Sequence, residues 1–498
     1  MALDAAGGGF IARNKLWTEA QAEAAARVMA LVEEHELRTI RVAVADPQGK
    51  IRGKTLTPRA FRGAMADGLD FTTAQFNFDS AEGIAYNPFT SGGSLAMEEM
   101  EGFPDVTLVP DPATFRILPW VPKTGWILGD MHFPDGAPVP FDARHKLKDA
   151  VAALEKTGHS YVAGLEIEFT VCRVLDPMMA PEHMGSLGLA PEPPKVEPLF
   201  RGFAYQSEAH LDVADELLGV LADHCEALGL PLRTMENEMG PGQLEFTFDV
   251  TGALEAADNL TLFRSMAKQV CARMGLHATF MTQPGLPAFF ASGWHLHQSL
   301  SKDGRNVFAT PEGSGALLSP TALNFVGGLL EHAVEASVFT TPTVNGYKRR
   351  KPNSLAPDRA TWGYDNRAAM IRVQGGPGLS STHVENRIGE PAANPYLYLA
   401  SQILSGLDGL ERQLDPGPME HAPYEAVHRP ELPKDLYAAV EALDGSAFFR
   451  GHFGDTFVDW LVGMKRSELA RFEAAEPAWR DAPEAVTAWE HREYFTRY

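Results

Sequence analysis

Five short stretches beyond residue 160 alternate apolar side chains with glutamate, histidine or arginine at a period of two, and this pattern constrains the fold more than any other feature of the chain. In Gly164–Val171, Glu166 and Glu168 point to one face of a strand, and Leu165, Ile167 and Phe169 to the other. Glu236 and Glu238 precede the turn Gly240-Pro241-Gly242, and Glu245 follows it, alternating with Leu244, Phe246 and Phe248. His295 and His297 alternate with Trp294 and Leu296, Arg372 lies between Ile371 and Val373, and His383, Glu385 and Arg387 share a face opposite Val384. A half-exposed antiparallel sheet would satisfy the spacing, but a solvated face normally mixes in Lys, Thr, Ser and Gln. These faces carry mainly Glu, His and Arg. Carboxylates packed together raise one another's pKa unless cations lie between them, so several such strands in one sheet predict bound metal. Hard carboxylate oxygens with an imidazole favour Mg²⁺ or Mn²⁺ over structural zinc. The arginines supply planar forks for phosphate and carboxylate. Metals and arginines around one cleft are what phosphoryl transfer from ATP requires. The sequence has no GxxxxGK[ST] loop, so a P-loop site is excluded, and the run Gly375-Gly376-Pro377-Gly378 is too unspecific to stand in for one.

A chain of 498 residues predicts more than one domain. The Gly/Pro-rich stretch Met131–Ala143 is the best boundary, giving a small α+β domain over 1–135 and a large one over 136–498. In the first, Thr18–Glu36 reads as an amphipathic helix opened by a Thr18/Gln21 capping box, and Arg38–Ala45 and Lys50–Leu56 as a hairpin around Asp46-Pro47-Gln48-Gly49. In the second, helices are predicted over Asp142–Lys156, Leu211–Leu228, Ala253–Arg273, Ala322–Val338 and Pro395–Arg412, and a long loop over Asp176–Gln206. The longest apolar stretch, Ala316–Phe339, is broken by Pro320, Asn324, Glu331 and His332 and reads as a buried helix rather than a membrane span. A net charge of −22 repels nucleic acid and anionic lipid. Three well-separated cysteines and an N-terminus without an apolar leader predict a cytoplasmic protein.

Taken in order, the same segments resemble the glutamine synthetase superfamily over nearly the whole chain. Glu166-Ile-Glu168-Phe resembles its E-x-E-F strand, Glu238–Glu245 its E-x-A-P-G-Q-x-E hairpin, and Gly293–Leu300 its G-x-H-x-H-x-S-L strand. Asn345–Arg349 resembles N-S-Y-K-R, Trp362–Arg372 the arginine-bearing segment, and Glu385–Arg387 with Pro391–Tyr396 the E-x-R…P-x-A-N-P-Y signature. The resemblance implies an α+β fold: a β-grasp-like N-terminal domain and a catalytic domain with a curved antiparallel sheet flanked by helices. It implies two or three Mg²⁺ or Mn²⁺ ions, one held by Glu168, Glu238 and Glu245 and one by Glu166, His295 and Glu385. It also implies ATP contacts from His297, Arg367 and Arg372, an acid substrate gripped by Arg349 and Arg387, and homo-oligomeric rings, usually dodecamers, with sites between subunits. Asp79, in Phe78-Asp79-Ser80, would match an aspartate donated by the neighbouring subunit.

The chain also departs from true glutamine synthetases. Those carry a glutamate six residues after the Y-K-R arginine, where it binds and deprotonates ammonium, and here that position is Leu355. Phe290-Ala291 replaces the Asn-Gly that holds the amino end of glutamate, and Ser380, with His383 nearby, replaces basic residues near the nucleotide. Leu355 brings the chain nearer to γ-glutamylpolyamine synthetases and related glutamate–amine ligases. The expected activity is ATP-dependent activation of a carboxylate, that of glutamate foremost, followed by condensation with an amine, with Asp79 as candidate base. Alternatives are an ammonia-dependent glutamine synthetase, a non-catalytic ring protein, and a guanidino phosphotransferase of creatine-kinase type.

Overall fold

The structure is a computed structural model describing residues 8–90 and 97–498. Thr18 opens the helix Glu19–Glu34 with the expected capping box: its hydroxyl accepts from the Gln21 amide while the Gln21 side chain accepts from the Thr18 amide. This helix covers a sheet of six strands: β1 (Thr39–Ala45), β2 (Ile51–Leu56), β3 (Leu69–Thr72), β4 (Asp105–Pro110), β5 (Arg116–Ile117) and β6 (Thr124–His132). They lie in the order β2-β1-β6-β4-β3, with β5 added to β6. β1 runs parallel to β6 and every other pair is antiparallel. All nine residues of β6 are buried, as its central position requires.

The second sheet has ten strands: β7 (Ser160–Asp176), β8 (Lys195–Pro198), β9 (Leu232–Asn237), β10 (Gln243–Gly252), β11 (Leu276–Thr279), β12 (Trp294–Lys302), β13 (Arg305–Asn306), β14 (Trp362–Tyr364), β15 (Ile371–Gln374) and β16 (His383–Gly389). The main path is β14-β15-β16-β12-β7-β10-β9. β8 and β11 pair with the far end of β7, and β13 pairs with β12. The apolar side of the alternation faces helices. Phe169, Phe246 and Phe248 meet Phe263 of the helix Ala253–Arg273 with ring centroids 5.9, 5.3 and 5.0 Å away. The Glu/His/Arg side is thereby turned to the opposite face.

One arginine ties the two sheets together. Arg144, at the start of the helix Ala143–Glu155, is buried and pairs with Asp111 (2.8 Å), Asp130 (2.9 Å) and Asp258 (2.8 Å). Asp130 lies on β6 and Asp111 directly after β4, whereas Asp258 lies on the helix behind the ten-stranded sheet and also accepts from the Tyr396 hydroxyl at 2.8 Å.

Two expectations need correction. The helix predicted over Ala322–Val338 is two pieces, Pro320–Glu331 and Ser337–Thr340. His332 ends the first, stacks on Phe448 at 3.7 Å and approaches Asp408 at 2.7 Å, contacts that apolar periodicity cannot register. The stretch Asp176–Gln206 is not wholly loop, because Lys195–Pro198 forms β8 by backbone pairing to β7 despite its Pro-rich surroundings. Three other predicted helices start or end within one residue of their expected bounds, and Leu211–Leu228 starts earlier, at Glu208. No helix among the described residues is long and apolar enough to cross a membrane. All three cysteines are free and buried.

Candidate active site

Strand register turns the five sequence stretches into one polar strip. Glu236 on β9 lies opposite Glu245 on β10, which lies opposite Glu168 on β7. Glu166 lies opposite His295 on β12, and His297 opposite Glu385 on β16, which in turn lies opposite Arg372 on β15. Two groups of ligand atoms lie within 4.8 Å of one another: Glu166, His295 and Glu385, and Glu168, Glu245 and His295. His295 therefore belongs to both groups, while Glu238, on the turn after β9, stands outside them but close enough for its charge to act on Glu168 and Glu245.

The electrostatics of this strip call for cations. Burial, then repulsion from Glu166, Glu168 and Glu238, pushes Glu245 up to about 11. Burial and then the charge of Glu238 raise Glu168 to about 8, and burial with Glu166 and Glu236 raises Glu238 to about 7. Glu166 and Glu385 go the other way. Burial works to raise both, but His295 and His297 outweigh it at Glu166, and Arg387 with the two histidines does so at Glu385.

The imidazoles are tied to the strip by hydrogen bonds of their own. His383 Nδ1 lies 2.6 Å from the Ser381 carbonyl, which can only accept, so that nitrogen carries the proton and Nε2 is bare. The amide nitrogen of Gln374 lies between the two rings and donates to His383 Nε2 at 2.9 Å and to His297 Nδ1 at 3.3 Å, the Gln374 oxygen accepting from Arg372 at 3.2 Å. With Nδ1 accepting, His297 Nε2 carries a proton and donates it to Glu166 Oε2 at 3.1 Å; burial works to lower the His297 pKa, but this bond, with the charges of Glu385 and Glu166, outweighs it and raises the value. Carboxylates with one or two imidazoles form a donor set suited to Mg²⁺ or Mn²⁺.

These shifts fix a pH dependence. A carboxyl with raised folded-state pKa contributes stability that is fully present below the ordinary carboxylate range and is lost as pH rises through the folded value. For Glu238, Glu168 and Glu245 that loss runs upward from pH 5 through about 7, 8 and 11. The lowered Glu166 and Glu385 lose their contribution only below the ordinary range, outside this window. Metal-free protein is thus expected to melt at lower temperature at pH 8 than at pH 6, and Mn²⁺ to raise the melting temperature more at pH 8. Thermal melts with and without Mn²⁺ at the two pH values check this, and an equal metal effect at both would refute the coupling.

The arginines divide by what they hold. Arg349 is buried, and burial lowers its pKa to about 10. It donates to the carbonyls of Arg387, Ile388 and Gly389 at 3.1–3.3 Å and leans on Gly293, where a Cβ would come within 2.6 Å of its Nη2. Arg387 pairs with Glu385, donates to the Arg367 carbonyl at 3.2 Å and reaches the Leu355 carbonyl at 3.4 Å. Arg372 pairs with Glu385 at 3.1 Å and with Asp365. The Arg367 side chain is exposed and, among the described residues, makes no ion pair.

Beside Glu166 and His297 a cavity of about 620 Å³ opens, lined also by Ser380, His383, Asn306 and Gln374. On the other side of the strip, Leu355 is 57% exposed and holds a left-handed backbone (φ +60°), a conformation that costs a residue bearing a Cβ about 1–2 kcal/mol. Phe290 is 40% exposed and sits over Gly240, where an added Cβ would lie 2.6 Å from the Phe290 Cβ.

Asp79 takes a different place from the one expected of a donated base. It is buried within its own chain, where it accepts from Arg471 at 2.8 Å, from Ser467 at 3.2 Å and from the amides of Ala81 and Gly83 at 3.0 and 2.8 Å. Gln243, given no role from sequence, is a structural member of the site. Its amide donates to Glu168 (2.9 Å), the Ala291 carbonyl (3.1 Å) and Ser292 (3.0 Å), so it fixes the loop that carries Phe290 against a metal ligand. Its position directly after the Gly240–Gly242 turn was the signal available in sequence.

The catalytic-domain family of glutamine synthetases matches residues 140–482. The chain belongs to the glutamine synthetase family. A γ-glutamylanilide synthase from an Acinetobacter species is 46% identical over 494 residues, 98% of each chain. A glutamate–isopropylamine ligase from a Pseudomonas species is 32% identical, covering 91% of this chain and 96% of the relative, and a glutamine synthetase from Methanosarcina mazei is also 32% identical, covering 91% and 95%. Among solved structures, GmaS in complex with ADP superposes with a TM-score of 0.74 at 28% identity over 93% of this chain and 98% of that one. The fold and the family expected from the motifs both stand.

Proposed function

We propose that this member of the family is an ATP-dependent glutamate–amine ligase, which converts the side-chain carboxylate of glutamate to an acyl phosphate and condenses it with an organic amine. The observation that carries this reading is the coexistence of a full carboxylate and imidazole array with Leu355 at the position where ammonia-using relatives place a glutamate. A non-catalytic ring protein has no use for six such side chains on one strip, and a guanidino phosphotransferase needs no array of this kind. The relatives whose names specify γ-glutamylanilide and isopropylamine support an organic amine. A polyamine would bring a second ammonium, for which Leu355 offers no counter-charge.

In this reading Glu168, Glu238 and Glu245 hold one divalent cation and Glu166, His295 and Glu385 another. Ions held there would supply positive charge to neutralise the phosphates. His297 faces the triphosphate from the 620 Å³ cavity, a size suited to a nucleotide. Arg367, free to move, and Arg372, held by Asp365, meet the transferring phosphoryl group. Arg349 fixes the β16 backbone, and Arg387, oriented by Glu385, presents its remaining donors to the acid. The glutamate carboxylate oxygen attacks the γ-phosphorus and ADP leaves. The amine nitrogen then attacks the acyl carbon and phosphate leaves. Asp79, bound to Arg471, is not retained as the base. As in the wider family, we place the site between subunits of a ring, the division near residue 135 separating the ring-contacting N-terminal domain from the catalytic one.

The test is a matrix of carboxylates against amines read by ADP release. Glutamate is expected to be the preferred acid, with organic amines supporting turnover at least tenfold more efficiently than ammonium. Saturation by millimolar ammonium with no gain from any amine would return the protein to the ammonia-dependent reading.

A further inference from the structure

Four large apolar side chains stand exposed on one side of the metal-ligand strip: Phe203 (56%), Tyr205 (53%), Met239 (38%) and Phe290 (40%). Apolar side chains left open to water beside a charged cleft call for an occupant. Two long-range anchors bring them together. The amide of Gln206 donates to the Asn237 carbonyl at 3.2 Å, the Gln206 side chain donates to Glu236 at 2.7 Å, and the Asn237 side chain donates to the Ala204 carbonyl. This pins residues 203–206 beside Glu238 and Met239. From the other flank, Gln243 fixes the 290–292 loop, and Phe290 rests on Gly240, one residue beyond Met239. Tyr205 is near enough to Glu238, Glu245 and Arg367 to feel their charges. The patch therefore borders the reacting centre.

We infer that this patch is the acceptor subsite and that it takes the ring of an aromatic primary amine, with Phe290 and Tyr205 as its specificity-determining residues; this rests on the ligase reading above. The chemistry of the acceptor agrees with what the site lacks. An alkylamine has a pKa near that of lysine, ~10.4, and arrives as an ammonium that must lose a proton before it can attack. The glutamate that would take that proton is Leu355, and Asp79 is buried under Arg471. An arylamine delocalises its lone pair into the ring and is neutral at pH 7. Its nitrogen attacks the acyl carbon directly, and the N–C bond forms as the C–O bond to phosphate breaks. The proton made acidic by that attack passes to the departing phosphate oxygen. No protein base is required, and the ring finds the aromatic faces of Tyr205 and Phe290.

The experiment compares aniline and isopropylamine as acceptors for the intact enzyme with glutamate and ATP, in wild type, Phe290→Ala and Tyr205→Ala, across pH 6–9. Aniline is expected to be preferred in kcat/KM by at least tenfold at pH 7. Its kcat/KM should not climb with amine ionisation, whereas that for isopropylamine should climb about tenfold per pH unit. Each variant should lower the aniline-to-isopropylamine ratio by roughly 10–200-fold, the range for loss of apolar pocket contacts. A ratio unmoved by both variants, or a preference for isopropylamine, overturns the ring subsite while leaving the ligase reading in place. Absence of ADP release with every amine overturns the ligase reading itself. Sedimentation of Phe203→Ala covers the other occupant: a change of assembly state with the amine ratio intact would make the patch a subunit contact and defeat the proposal.

Discussion

Glu385→Ala is expected to abolish ligation and to destabilise the fold by about 3–5 kcal/mol, the usual cost of stranding buried charge. Glu385 is fully buried, receives Arg372 at 3.1 Å and Arg387, and lies 3.7 Å from His295. Removing it leaves two guanidiniums facing each other without their shared counter-ion, in a protein whose total stability is of the order of 5–15 kcal/mol. Glu385→Gln separates the two roles. It keeps the shape and one acceptor oxygen, so the fold is expected to survive in urea unfolding. It removes the charge that a divalent cation needs, and turnover should fall about 100–1000-fold, as when one transition-state electrostatic contact is lost. Calorimetric titration with Mn²⁺ decides: wild-type affinity in Glu385→Gln would remove Glu385 from the ligand set.

Arg144→Ala is expected to be the most damaging single change away from the active site. It would uncover Asp111, Asp130 and Asp258, two carboxylates from the six-stranded sheet and its edge and one from the helix behind the ten-stranded sheet, now gathered on one guanidinium. Burial of Asp130 disfavours its charge, and only Arg144 and Lys148 hold its pKa below the ordinary value. The loss is expected to reach or exceed 3–5 kcal/mol and to split a single unfolding transition into two as the sheets lose their tie. Arg144→Lys should recover little, because a point charge cannot span three partners that the planar fork reaches together. Denaturant melts followed by tryptophan fluorescence and by circular dichroism give the measurement. Coincident, unshifted transitions in Arg144→Ala would show that the tie carries no stability.

The strand faces were legible because period two survives without any knowledge of pairing. Glu166 and Glu168, or His295 and His297, share a side of their strand wherever that strand lies. Helix bounds were legible for the same reason, with capping residues such as Thr18, Asp142 and Asn394 marking the starts. What escaped depends on partners far along the chain. The burial of Asp79 is set by Arg471, 392 residues away, and nothing near Phe78-Asp79-Ser80 announces it. Phe203 and Tyr205 lie in a stretch without periodicity, and only Glu236 and Asn237 reveal where they face. Arg349 reads as a substrate grip from its motif, yet its donors already meet three carbonyls of the β16 backbone. Sequence showed which residues share a side; which of them were already taken was settled by packing.

The seventeen-residue strand β7 lies at the centre of the large sheet and pairs with β8, β10, β11 and β12. Sliding it by a single position would swing Glu166 and Glu168 into the phenylalanine-lined interior and expose Leu165, Ile167 and Phe169. A misthreaded molecule would thus forfeit its affinity for divalent ions along with its hydrophobic interior. Ion capture accordingly doubles as a checksum on strand alignment, and supplying Mg²⁺ or Mn²⁺ during refolding should enrich the correctly threaded population.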